Sequence, residues 1–117
     1  MGLIIDVNLT DDNIPVVKIQ GEVDISSCPD LREALRKEIA QHRKQIVIDL
    51  SEASYLDSAG LGVLVDAERK AKLIDGSIYL SGASFLVQRA LQITQLTKIF
   101  KIEASVEAAL DKIRRNS

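Results

Sequence analysis

Tryptophan is absent from this chain of 117 residues, and cysteine, histidine and methionine occur once each. Aromatic residues amount to 3%, too few for the stacking platforms on which unpaired bases lie. Lys and Arg number 15 against 17 Asp and Glu, and they are scattered, leaving a formal net charge of −2. Nucleic-acid binding needs a basic patch to neutralise phosphates, so no nucleic acid is expected as the main partner. The lone Cys28 can form neither an internal disulfide nor a thiolate metal site, which fits a reducing compartment. No apolar run approaches the roughly 18 residues of a membrane span, so no membrane insertion is expected. The opening MGLIID lacks the basic region and apolar core of a signal peptide. A cytoplasmic protein is the expectation.

The scarcities also bear on catalysis. A hydrolytic serine needs a base within hydrogen-bond reach, usually a histidine oriented by a carboxylate. The only histidine, His42, sits in the polar run Gln41-His42-Arg43-Lys44-Gln45 and reads as a solvated connection. The G-x-S-x-G elbow is missing. Gly60-Leu61-Gly62 lacks the further glycine and the lysine of a phosphate-cradling loop. No pair of His or Cys is spaced for a metal. Neither a catalytic residue nor a cofactor or metal is therefore expected, and the chain does not read as an enzyme.

What is present is a globular composition, 46% hydrophobic and 27% charged, long enough for one domain over residues 1–117. Leu3, Ile5, Val7 and Leu9 alternate with Ile4, Asp6 and Asn8 as a half-buried strand does. Asp11-Asp12-Asn13 supplies a turn, and residues 16–19 resume the alternation, so the first two strands are expected to pair antiparallel. Gly21-Glu22-Val23-Asp24 ends the second strand. A helix follows from about Pro29, with Ser27 or Cys28 at its cap and Leu31, Ala34, Leu35 and Ile39 on one face. Asp75-Gly76 breaks a later helix, residues 77–80 read as a strand, and Ser84 caps a helix over 85–93. A short strand near 99–102 and a helix capped by Ser105 close the chain. Strands alternating with helices predict a mixed, largely parallel sheet with helical cover.

The chain is organised around residues 46–65, IVIDLSEASYLDSAGLGVLV. Ile46, Val47, Ile48 and Leu50 form a nearly continuous apolar run, the pattern of a strand buried on both faces. The polar segment Ser51-Glu52-Ala53-Ser54 reads as a loop. Gly60, Leu61, Leu64, Val65 and Ala67 then recur at helical spacing, which places Ser58 in a helix's first turn. Amides at a helix start have no partner within the helix, and the macrodipole favours negative charge there. A serine in that position can cap the helix, act as a nucleophile or accept a phosphate.

A receiver-type phosphoacceptor with Asp57 as the acceptor would suit the length. It would need an acidic pair after its first strand, however, and Asp11-Asp12 falls in a hairpin turn instead. Residue type alone favours Asp57 or Ser58 as a simple helix cap, worth roughly 0.5–2 kcal/mol. The neighbours point further. Asp57-Ser58-Ala59-Gly60-Leu61-Gly62-Val63-Leu64 closely resembles the signature of bacterial anti-sigma factor antagonists, the compact STAS-domain proteins. Gly21-Glu22-Val23-Asp24 resembles that family's Gly-Glu-Leu-Asp segment, residues 46–50 its central strand and residues 105–110 its closing helix. Ala59 departs from members with a second serine there, and leaves the acceptor in place.

The resemblance implies an α/β fold, a STAS-like mixed sheet of four or five strands packed against about four helices. It implies phosphorylation at Ser58 by an anti-sigma factor serine kinase and reset by a serine phosphatase. Partner binding is expected through Asp24, Asp57, Ser58, Ala59, Gly60 and Leu61. The unmodified form would release a sigma factor, or another regulator, held by the kinase. A constitutive STAS scaffold or accessory subunit, of a transporter or a large signalling complex, is the alternative reading.

Overall fold

A computed structural model of the chain describes residues 3–116, and its elements follow the expected order. Strands β1 (Ile4–Leu9) and β2 (Pro15–Val23) form an antiparallel hairpin. Then come α1 (Cys28–Ala40), β3 (Gln45–Leu56), α2 (Ser58–Lys72), β4 (Ser77–Ser81) and α3 (Phe85–Ile93). A 3-10 turn over Leu96–Lys98, strand β5 (Lys101–Glu103) and α4 (Val106–Arg115) complete the chain. The five strands make one sheet in sequence order, every pair after the first being parallel. Residues 1, 2 and 117 of the expected domain lie outside the described residues. Among those described, no helix is long and apolar enough to cross a membrane.

Each parallel strand reaches its neighbour through a helix, and right-handed crossovers send all three of those helices to one face. Leu31 and Leu35 of α1, Leu64 and Ala71 of α2, and Val87 and Leu91 of α3 pack there against Val17, Ile19, Ile48 and Leu80. Helix α4 covers the other face, where Ala109 and Ile113 meet Ile14, Val47 and Tyr79. The central run of β3 is thus buried on both sides, with Ile46, Val47, Ile48 and Leu50 all fully inaccessible. Caps act where serine chemistry predicts them: Ser84 Oγ accepts the Val87 amide, and Ser105 Oγ the Ala108 amide.

Three features depart from the sequence expectation. Strand β3 does not stop at Leu50 but runs on to Leu56, so Ser51-Glu52-Ala53-Ser54 is strand and not loop. Its pairing with β2 slips twice, between Lys18 and Gln20 and between Gly21 and Glu22, each time with an extra residue on β3. Those bulges break the two-residue alternation that marks a strand. The polar side chains are satisfied across the pair, Glu52 meeting Lys18 Nζ and Gln20 Nε2, each at 2.8 Å. Strand β1 is more open than a half-buried strand, with Ile4, Val7 and Leu9 exposed, because no further strand covers its outer edge. Helix α1 begins at Cys28, and Ser27 occupies the cap position without a capping hydrogen bond, its hydroxyl being engaged by the preceding loop.

Candidate functional site

In a parallel sheet the loops that follow the strands gather at one end, and ligands of open α/β sheets bind there. The end of β2 and the start of α2 touch directly. The Asp57 amide donates to the Val23 carbonyl at 3.1 Å, and a Cβ on Gly60 would stand 2.9 Å from Val23 Cγ1 and 3.0 Å from its carbonyl oxygen. Only a residue without a side chain lets the helix start so close to the strand end. This contact brings the Asp24 loop next to the Asp57–Ser58 junction.

At that junction the capping task falls to Asp57. Its backbone is extended, and its Oδ1 accepts the Gly60 amide at 2.9 Å while its carbonyl accepts the Leu61 amide at 2.9 Å. Ser58 is therefore the first residue of the helix and not its cap, and its side chain is exposed. Asp57 fills the capping role, so the Ser58 hydroxyl is left facing solvent. The Ser58 and Ala59 amides, ahead of those Asp57 engages, lie at the positive end of the α2 dipole.

Asp24 is the hub of the neighbouring loop. Its Oδ1 accepts the Ser26 amide at 3.0 Å, the Ser26 hydroxyl at 2.7 Å and the Ser27 amide at 3.1 Å. In return, the Asp24 amide donates to Ser27 Oγ at 3.0 Å. The Ser26 hydroxyl and the Ser27 amide hold the Asp24 carboxyl below the usual carboxylate range. Cys28 lies buried behind the loop, where burial pushes its thiol up and the Asp57 and Asp24 carboxylates add to the effect, against Arg32. A thiol so placed stays protonated and unreactive.

The six residues singled out from the sequence thus fall in one neighbourhood but differ in accessibility. Ser58 is exposed, Asp24, Asp57 and Ala59 are half-buried, and Gly60 and Leu61 are buried. Three further residues, close in the chain to these, are exposed and escaped sequence reasoning. Ile25 is 79% exposed at the tip of the Asp24 loop, and Tyr55 is 50% exposed two residues before the cap. Gly62 stands one helical turn beyond Ser58, and a Cβ placed on it would meet nothing within 4 Å. Only the four-residue spacing of Ser58 and Gly62 could have signalled their shared face. His42 lies exposed in the connection between α1 and β3, as its polar neighbours predict.

The arrangement offers a hydroxyl at a helix start, flanked by an ordered loop with an apolar tip. A family model described as STAS domain matches residues 7–109. The anti-sigma-B factor antagonist of Bacillus subtilis (strain 168) is 36% identical over 110 residues, which are 94% of this chain and 99% of the relative. A solved anti-sigma factor antagonist from Mycobacterium paratuberculosis superposes with a TM-score of 0.88 at 27% identity, covering 97% of this chain and 95% of that one. The anti-sigma factor antagonist SpoIIAA, solved in its unphosphorylated form, shares the fold with a TM-score of 0.83 at 22% identity, over 96% of this chain and 97% of that one.

Proposed function

This chain belongs to the STAS-domain family of anti-sigma factor antagonists, and on that footing we propose that it is a binding module switched by phosphorylation at Ser58. In its unmodified form it docks on an anti-sigma factor serine kinase in the cytoplasm, and docking releases the sigma factor, or other regulator, that the kinase holds. The surface used is the Asp24 loop with Ile25 at its tip, together with Tyr55, Ser58 and the open turn at Gly62. Gly60 and Leu61 act from beneath, fixing the backbone on which Ser58 is presented. The whole chain works as one domain.

The chemistry belongs to the kinase. The γ-phosphoryl group of its ATP passes to Ser58 Oγ, the hydroxyl proton leaves to a base of the kinase, and ADP departs. The product adds roughly −1.5 to −2 charge at pH 7. The free amides and the dipole at the start of α2 accommodate that charge within the molecule. A docked partner surface would have to desolvate it beside Asp57, so affinity falls while the fold stays. A serine phosphatase restores the neutral hydroxyl.

The observation that carries this reading is the division of labour between Asp57, which caps, and Ser58, which is exposed with no capping task. Incubation with the cognate kinase and ATP, followed by peptide mapping, tests it. Label is expected on Ser58 and not on Ser51, Ser54 or Asp57. Stoichiometric label on a Ser58→Ala protein would defeat the proposal.

A further inference from the structure

We propose that β1 is a self-pairing edge, through which two copies of this chain join antiparallel about a two-fold axis at Val7, making one sheet of their two five-stranded sheets. Natural edge strands are blunted by lysine, proline, a bulge or a covering element, because open backbone groups invite another strand. Strand β1, reading IIDVNL, contains neither lysine nor proline. Its register with β2 is unbroken, since both slips in the sheet lie between β2 and β3. Ile4, Val7 and Leu9 are exposed along it. The opposite edge, β5, is only three residues long.

The backbone direction can be read from the hairpin. The Thr10 amide donates to the Ile14 carbonyl, so Thr10 points towards β2. Leu9 lies opposite Pro15, which has no amide hydrogen to offer. Inward and outward residues alternate along an antiparallel strand. Ile5, Val7 and Leu9 therefore turn their amides and carbonyls to the open edge.

Asp6 then selects the register. A two-fold axis normal to the sheet keeps each face on its own side, so outward residues must meet outward residues. An axis at Asp6 would set that carboxylate against its own copy in a closely spaced pair, and like charges directly opposite repel. An axis at Val7 sets Val7 against Val7, Ile5 against the second copy's Leu9, and Asp6 against the second copy's Asn8, whose amide can donate to it. Of these two axes, only the one at Val7 makes the interface self-complementary. Ser58, at the end of β3, lies two strands in from this edge, so both docking surfaces stay open.

Sedimentation equilibrium of the full chain over a wide concentration range, with two cysteine variants and one charge variant, tests the proposal. The apparent mass should rise from 12.8 kDa towards twice that value as concentration increases. Val7→Lys, at an exposed position, should raise the dissociation constant at least tenfold with an unchanged circular dichroism spectrum. Under mild oxidant, Val7→Cys should form a disulfide-linked dimer, since residues paired through hydrogen bonds stand about 5.5 Å apart, within disulfide reach. Asp6→Cys should not. A wild-type chain that stays at 12.8 kDa up to millimolar concentration, or linkage through Asp6→Cys in place of Val7→Cys, overturns the proposal.

Discussion

Asp57 and Ser58 are adjacent, and both are good capping types, yet they do different work. The backbone decides between them: the Asp57 amide is held by the Val23 carbonyl, which leaves Asp57 extended and its carboxylate turned to the Gly60 amide. Asp57→Ala should therefore cost about 1 kcal/mol of stability, the usual scale of a lost cap. Ser58→Ala should stay within about 0.5 kcal/mol, as an exposed substitution does. Urea denaturation of both variants measures the difference; equal losses would return the capping role to Ser58. The two glycines separate in the same way. Gly62→Ala should stabilise α2 by roughly 0.5–1 kcal/mol, since its site is open and helical. Gly60→Ala should destabilise, because Val23 leaves no room for the methyl group. The sequence placed the glycines on a helix but could not tell these roles apart, since the deciding neighbour lies thirty-odd residues earlier in the chain.

At the scale of elements, periodicity was informative wherever an element buries one face or both. The run Ile46 to Leu50 declared its strand, and the stripes of α1 and α4 declared theirs. The second half of β3 was illegible for a physical reason: two bulges interrupt its alternation, and its polar side chains are satisfied by Lys18 and Gln20 of the neighbouring strand. A buried carboxylate was equally hidden. Glu68 of α2 is 5% exposed and accepts the Ile78 amide of β4 at 2.8 Å, tying helix to sheet. Helix α4 is fastened by Arg114, whose Nε and Nη2 donate to Asp12 of the β1–β2 turn, each at 3.0 Å. The Arg114 guanidinium holds the Asp12 carboxyl well below the usual carboxylate range. Because the folded-state pKa is lowered, this contribution is present above the unfolded value of about 3.9 and is lost as pH falls through the folded one. Asp12→Asn should lower the melting temperature at neutral pH, by a margin that closes as the solution is taken below about pH 4. A gap that persisted in strong acid would contradict the assigned role. Both groups are about half exposed, so the margin should be small and should shrink further with salt.

For the molecule as a whole, the order of elements and the place of Ser58 at a helix start were legible, while the exposure of the residues around it was not. Ile25 and Tyr55 look in sequence like any apolar residues; only the fold leaves them exposed. Phosphate on Ser58 adds charge beside the Asp24 and Asp57 carboxylates, so it should disable docking on that surface without disturbing the sheet or its helices. Affinity for the kinase should then fall in the order Ser58 or Ser58→Ala, then Ser58→Asp, then phosphoserine. Asp adds less charge than phosphate and lacks its bulk, so it should act as a partial mimic. Titration calorimetry of the four forms against the kinase, at one salt concentration, measures that order directly. Tight binding is expected for the unmodified protein and for Ser58→Ala, with a graded loss through Ser58→Asp to phosphoserine. Phosphoserine that binds as tightly as unmodified serine would contradict it, even with Ser58 as a genuine site of phosphorylation.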